Sequence, residues 1–215
     1  STTVFYEYYT DSSNVARSLT RTGSALDIAE WYEVGQESLD SSGVTTLQKG
    51  DLICIDDNEK EKVVACRSEN QKILGVISTK PFMTMGDNRI MADRSQQAEV
   101  ALNGMIPIVV TSNNGDIEMG DRLTISNLPG VSQKATKSGE VVGKALETFK
   151  PSEMVCTNVT SLDSIVWPAD EGHNESRPCF RLPDGTYVGK ASMFLNISWY
   201  NKPEEVTATV STPGW

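Results

Sequence analysis

Apolar positions along the chain fall in short runs with no helical spacing. They recur at Leu52-Ile53-Cys54-Ile55, Lys62-Val63-Val64-Ala65-Cys66, Ile73-Leu74-Gly75-Val76-Ile77, Val100-Ala101-Leu102, Ile106-Pro107-Ile108-Val109-Val110, Arg122-Leu123-Thr124-Ile125, Val141 to Leu146 and Met193-Phe194-Leu195-Asn196-Ile197. Each is rich in β-branched residues and bounded by Gly, Asn, Asp, Ser or Pro, which is the pattern of half-buried strands separated by turns. Ser24 to Trp31 has a cap-like Ser24 and Asp27 but ends in aromatics, so it reads as a loop or the start of a strand. A mainly β fold follows.

The glycines expose an internal repeat. Leu47-Gln48-Lys49-Gly50-Asp51-Leu52 matches Ile117-Glu118-Met119-Gly120-Asp121-Arg122, and Gly75 and Gly143 follow the two turn glycines by about 25 and about 23 residues. Two related β units, residues 47–78 and 117–147, are expected to share one core as a compact barrel or sandwich. Flanking them are an N-terminal extended segment, 1–26, and a C-terminal tail, 201–215, around a module spanning 27–200. Thr2 to Thr10 holds four of the eleven Phe and Tyr residues, and Val206 to Thr212 alternates cleanly. Each reads as a strand with no obvious partner nearby in sequence. Such strands either close their own sheet or complete that of a neighbouring copy.

Composition narrows the function. At 215 residues, 38% apolar and with 16 glycines, the chain can bury a core in one large or two small domains. A formal charge of -10 disfavours nucleic acid and anionic membranes as partners, and no apolar run is long enough to span a bilayer. The N-terminus lacks a Met, a basic region and an apolar signal core, so the chain reads as a processed, excised or truncated product. With His173 the single histidine, most histidine-based triads and zinc sites are excluded, and no metal or cofactor is expected. Cys54, Cys66, Cys156 and Cys179 lack metal-site spacing and read as two disulfides, with four buried thiols as the alternative. A hairpin turning over Asp56 to Glu61 pairs positions that sum to about 120, which sets Cys54 opposite Cys66 and leaves Cys156 for Cys179. Such bridges imply an oxidising compartment.

The remaining candidates are few. Asp56-Asp57-Asn58-Glu59 lacks a distal bidentate calcium ligand and reads as a solvated turn. Asn158 and Asn174 are candidate glycosylation acceptors, whereas the third sequon, Asn196, falls inside a predicted strand. Asp27 and Glu30 lie three apart among apolar neighbours. They could act as a general acid and base if burial raised one pKa, or could pin the start of a strand by hydrogen bonds. Of the four tryptophans, Trp31 and Trp199 look like core, and Trp167 is the candidate for stacking on a sugar.

From Asp27 to Tyr200 the ordered set Asp27-Ile28-Ala29-Glu30-Trp31, Lys49-Gly50-Asp51, Ile73 to Pro81, Val100 to Val110, Gly115-Asp116-Ile117, Gly120-Asp121, Pro129-Gly130, Gly143 to Glu147 and Phe194 to Tyr200 resembles a known module. It is the β-rich C-terminal module of phage neck-appendage and tail-fibre proteins and of large bacterial surface proteins. The resemblance implies a part of an elongated, often trimeric appendage. In the phage branch it also implies an autoproteolytic intramolecular chaperone with a D-x-x-E pair, matched here by Asp27 and Glu30. Cleavage there follows a small residue; Leu26 stands at that position here, which implies an uncleaved copy. The function expected is an extracellular structural protein, a subunit of a surface filament or fibre built by β-strand contacts between copies. The alternatives are a self-cleaving maturation domain and a fibre tip that binds cell-surface glycan.

Overall fold

Among the described residues fourteen strands form, the longer ones of the core where the apolar runs and their turn residues lie. In this computed structural model, residues 4–10 and 16–22 are described as backbone, and residues 27–85, 94–167 and 177–203 in full. In chain order the strands are β1 (Val4–Thr10), β2 (Ala16–Thr22), β3 (Asp27–Val34), β4 (Leu52–Ile55), β5 (Lys62–Ala65), β6 (Ile73–Ile77) and β7 (Met83–Met85). Then follow β8 (Gln97–Thr111), β9 (Arg122–Ile125), β10 (Ser132–Lys134), β11 (Gly139–Ala145), β12 (Cys156–Asn158), β13 (Cys179–Arg181) and β14 (Tyr187–Tyr200). Among the described residues there is no α-helix; short 3-10 turns include Gln36–Ser38, Pro151–Glu153 and Leu162–Ser164. The mainly β class is the one the sequence implies.

β1 and β2 pair antiparallel in a sheet of their own. The N-terminal strand, expected to lack a partner nearby in sequence, pairs with one close by; Ala16 to Thr22 is polar and carries no apolar run to mark it as a strand. The other strands join in one mixed sheet, ordered β12-β13-β14-β11-β9-β10-β8-β6-β4-β5-β3-β7. Additional pairings of β8 with β14 and with β3 close this order into two circuits of hydrogen-bonded strands that share β8. The two runs predicted around residues 100 and 108 are one continuous strand. Its partner changes at Gly104, which lies opposite both Asp27 and Leu195 and takes a φ of 120° that favours glycine.

Each circuit contains one copy of the repeat, and the copies match bond for bond. Gly50 and Gly120 have φ of 93° and 96°. The Asp51 and Asp121 carboxylates each accept from the backbone N–H three residues earlier, at Gln48 and Glu118, both at 2.8 Å. Gly50 N–H donates to Ile77 O at 3.0 Å and Gly120 N–H to Ala145 O at 2.8 Å. Ile53 faces Gly75 in the first copy and Leu123 faces Gly143 in the second, each three residues past its turn glycine. The largest core cluster, with Leu52, Ile106, Ile108, Leu123, Phe149, Met193 and Leu195, draws on both copies. Each such side chain contributes roughly 1.5–3 kcal/mol on burial.

Both disulfides join the expected partners. Cys54 and Cys66 have Cα atoms 5.0 Å apart, and Cys156 and Cys179 4.4 Å. The hairpin register differs from the expected one: Cys54 lies opposite Val64, so pairs sum to 118 and the bridge runs diagonally. The turn decides this. Asp56 N–H donates to Lys62 O at 3.0 Å, its carboxylate accepts from the Asn58 and Glu59 N–H groups, and Glu61 takes a left-handed φ of 62°. A slip of this kind leaves both cysteines on one face, because side chains alternate with period 2.

Candidate functional site

Asp27 opens β3 opposite Gly104 and is 3% exposed. Its carboxylate Oδ2 accepts from Ser78 Oγ at 2.6 Å, and its backbone carbonyl accepts from Phe82 N–H at 2.8 Å. Burial raises its pKa above the ordinary carboxylate value, and the charge of Glu99 adds to the rise against the opposing bond from Ser78. Glu30 is engaged elsewhere: its Oε2 accepts from Tyr32 Oη at 2.9 Å. The strand explains the separation. Residues three apart on a strand point to opposite faces, and here Asp27 and Ala29 are buried while Ile28 and Glu30 keep solvent contact. The carboxylate whose charge acts on Asp27 is Glu99, which also accepts a hydrogen bond from Thr84 Oγ1.

Ser78 and Glu99 are thus the residues near Asp27 that spacing did not reveal. They arrive from β8 and from just beyond β6, and the signal for them is long-range: Ser78 N–H donates to Glu99 O at 2.8 Å. The group that results is a buried carboxyl, its pKa raised by burial, that accepts a hydrogen bond from a hydroxyl. Asp27 and Glu30 thus take different hydrogen-bond partners, Ser78 and Tyr32.

The acidic turn serves the hairpin. Asp56 closes it as described, and the Glu59 carboxylate accepts from Gln36 N–H at 2.7 Å and pairs with Lys62 at 2.6 Å. Among the described residues no group of His, Cys, Asp and Glu has the makings of a metal site, and no helix is long and apolar enough to cross a membrane. Asn158 ends β12 with its side chain exposed, and Asn196 lies exposed within β14. His173, Asn174, Leu26, the strand expected at Val206 to Thr212 and Trp215 lie outside the described residues. Trp31 is half-buried with the Arg94 guanidinium 4.5 Å from its ring centroid. Trp199, expected in the core, is 68% exposed near the end of β14, where its indole N–H donates to Asn201 Oδ1. Trp167 stands in the wall of a cleft of about 800 Å³.

The two ends of the large sheet differ in chemistry. β12 is polar, with Thr157 and Asn158 exposed, and a disulfide ties it to β13. At the opposite end β7 pairs, among the described residues, only with β3, and its Met83 and Met85 are 46% and 43% exposed beside exposed Ile28. An unprotected edge with apolar side chains is a template for pairing with another strand.

Neither a protein-family model nor a curated protein matches the chain. Among solved structures it is similar to pre-mature bacteriophage phi29 gene product 12, at 15% identity and a TM-score of 0.42, over 68% of this chain and 23% of that one. It is likewise similar to the C-terminal fragment of the same product, at 13% identity and a TM-score of 0.42, over 77% of this chain and 98% of the fragment.

Proposed function

We propose that the protein is an extracellular structural subunit, of a surface filament or an appendage fibre, that joins its neighbours by strand contacts. The observation that carries this reading is the pairing pattern: the β1–β2 hairpin forms a sheet of its own, and among the described residues no strand lies beyond β7, whose edge carries apolar side chains. A two-stranded hairpin is marginally stable in water by itself, and an open edge is normally blunted by charge or covered. A second copy of the chain answers both needs, since its strands supply main-chain hydrogen bonds and apolar cover together. Two disulfides suit a subunit that matures and works in an oxidising space at a cell surface or on a virion. Cleavage at the Asp27 site finds no such support, because Asp27 and Glu30 take different partners.

Electron microscopy of the protein as isolated, before denaturant or reductant, is expected to show regular filaments or fibres. The full chain carrying Met83→Lys and Met85→Lys is expected to remain monomeric by light scattering with its melting temperature unchanged. A native protein that is monomeric, or a double variant that assembles like its parent, would overturn the proposal.

A further inference from the structure

The cleft that holds Trp167 lies where the Gly50-Asp51 turn of the first repeat meets residues 129–131 and the Leu162–Ser164 turn beyond the second. Its volume of about 800 Å³ is that of a ligand site. Its walls are held in place. Gly130 N–H donates to Cys66 O and Gly130 O accepts from Leu52 N–H, which locks the two repeats together at the cleft floor. The indole of Trp167 meets Phe180 edge-on, with centroids 5.4 Å apart and planes at 86°, and Lys190 Nζ lies 4.9 Å from its ring centroid. Phe180 follows Cys179, whose bridge to Cys156 stiffens that wall. The tryptophan is therefore fixed in the wall by its neighbours and does not collapse into the cleft.

The polar lining is matched to hydroxyl groups. Asp51 and Asp163 present carboxylate acceptors, and Gln48 and Arg67 present donors, beside apolar surface from Trp167 and Leu162. Asp51 is positioned closely: one oxygen accepts from Gln48 N–H at 2.8 Å, and its carboxyl packs so near Gly130 that a Cβ there would come within 2.9 Å of Cγ. With Glu37 and Asp163 set against Arg67 and the neighbouring Lys190, and Asp51 buried, the cleft has no excess of positive charge to hold anionic ligands such as phosphates or uronic acids. An aromatic wall with neighbouring carboxylate acceptors is the chemistry that recognises pyranose rings, through C–H faces on the indole and paired hydroxyls on the carboxylates.

The geometry points to a binding site for a neutral oligosaccharide in this cleft, with Trp167 as the stacking surface and Asp51 and Asp163 as hydroxyl acceptors. The site stands whether or not the subunit polymerises. The test uses the full chain with cello-, malto-, chito- and manno-hexaoses and, as the anionic comparison, a heparin hexasaccharide, read by tryptophan fluorescence and calorimetry. At least one neutral hexaose is expected to bind. Trp167→Ala and the exposed Asp163→Asn, which leaves the fold intact, are each expected to weaken that binding at least tenfold, while Trp199→Ala at the far end of β14 leaves it unchanged. Failure of every neutral sugar, binding that survives both cleft variants, or preference for the heparin fragment would each overturn the assignment.

Discussion

Gly75 and Gly143 offer the sharpest test of the two-unit fold. A Cβ added to Gly75 would lie 2.2 Å from Ala101 O and 2.7 Å from Val100 Cγ1; one added to Gly143 would lie 2.2 Å from Phe194 O and 3.0 Å from Met193 Sδ. The obstructing atoms in both cases include a backbone carbonyl on one of the two long strands, so relief requires the strand itself to move by about 1 Å to reach ordinary contact distance. Overpacking relieved by side-chain adjustment costs about 1–3 kcal/mol, and moving a paired strand places these variants at or above the top of that range. Gly75→Ala and Gly143→Ala should therefore each lose about 3 kcal/mol or more. Gly139→Ala is the internal control: it lies on the same strand as Gly143 with nothing within 4 Å of the new Cβ, and should fall within about 0.5 kcal/mol of wild type or gain slightly from reduced chain entropy. Urea unfolding followed by tryptophan fluorescence measures all three as shifts in midpoint at constant slope. A wild-type midpoint for Gly75→Ala or Gly143→Ala would refute the close approach. A large loss in one with none in the other would refute the equivalence of the two units.

Three further outcomes are expected. Burial pushes Asp51, which keeps only part of its surface in solvent, up to about 7 from 3.8, against the opposing hydrogen bond from Gln48 and the charge of Lys190. The unfolded chain thus loses this proton first, and stability falls as pH rises from roughly 4 to 7; at about 1.4 kcal/mol per unit the ceiling is about 4 kcal/mol, and solvent at the cleft reduces it to about 1–2. Asp51→Asn should remove that decline, so the difference between the two stability profiles should show it between roughly pH 4 and 7, and parallel profiles would contradict it. Ser78→Ala should cost about 1–3 kcal/mol at pH 8, where the Asp27 carboxylate loses a charge-assisted donor, and less as pH falls through the raised pKa of that carboxyl; a cost that does not change with pH in thermal melts would count against this reading of Asp27. Replacing both Cys54 and Cys66 by Ala opens a loop whose ends are 12 residues apart, worth about 3 kcal/mol by chain entropy, and the Cys156 and Cys179 pair, 23 apart, somewhat more. Chemical denaturation of the two double variants checks both, and losses under 1 kcal/mol would set the entropic account aside.

How far the sequence could be read varies with the distance over which each feature is decided. β4, β5, β6, β9 and β11 lie where period-2 apolar runs and turn residues put them, because alternation and turn chemistry act over a few neighbouring residues. The short strands β7, β10, β12 and β13 carry too few apolar residues to announce themselves and exist because longer strands pair with them. Asp27 was visible as a candidate, but its partners Ser78 and Glu99 were not, since β6 and β8 bring them to it from elsewhere in the chain.

The sequence by itself determined the β class, the repeated Gly-Asp turns and the pairing of the four cysteines, all matters of local pattern and of how a short hairpin folds back. Tertiary structure decided the rest. It fused two predicted runs into β8 and used that strand to close two circuits, and it slid the hairpin from the expected register to the one the Asp56 turn imposes. It also turned Asp27 and Glu30 to opposite faces and set Trp167 beside Asp51, more than a hundred residues away in the chain, across one cleft. Strand spacing fixes which side of a sheet a residue faces, but which strands meet is chosen by the closure of the whole sheet and the burial of a shared core, and a linear pattern does not carry that choice.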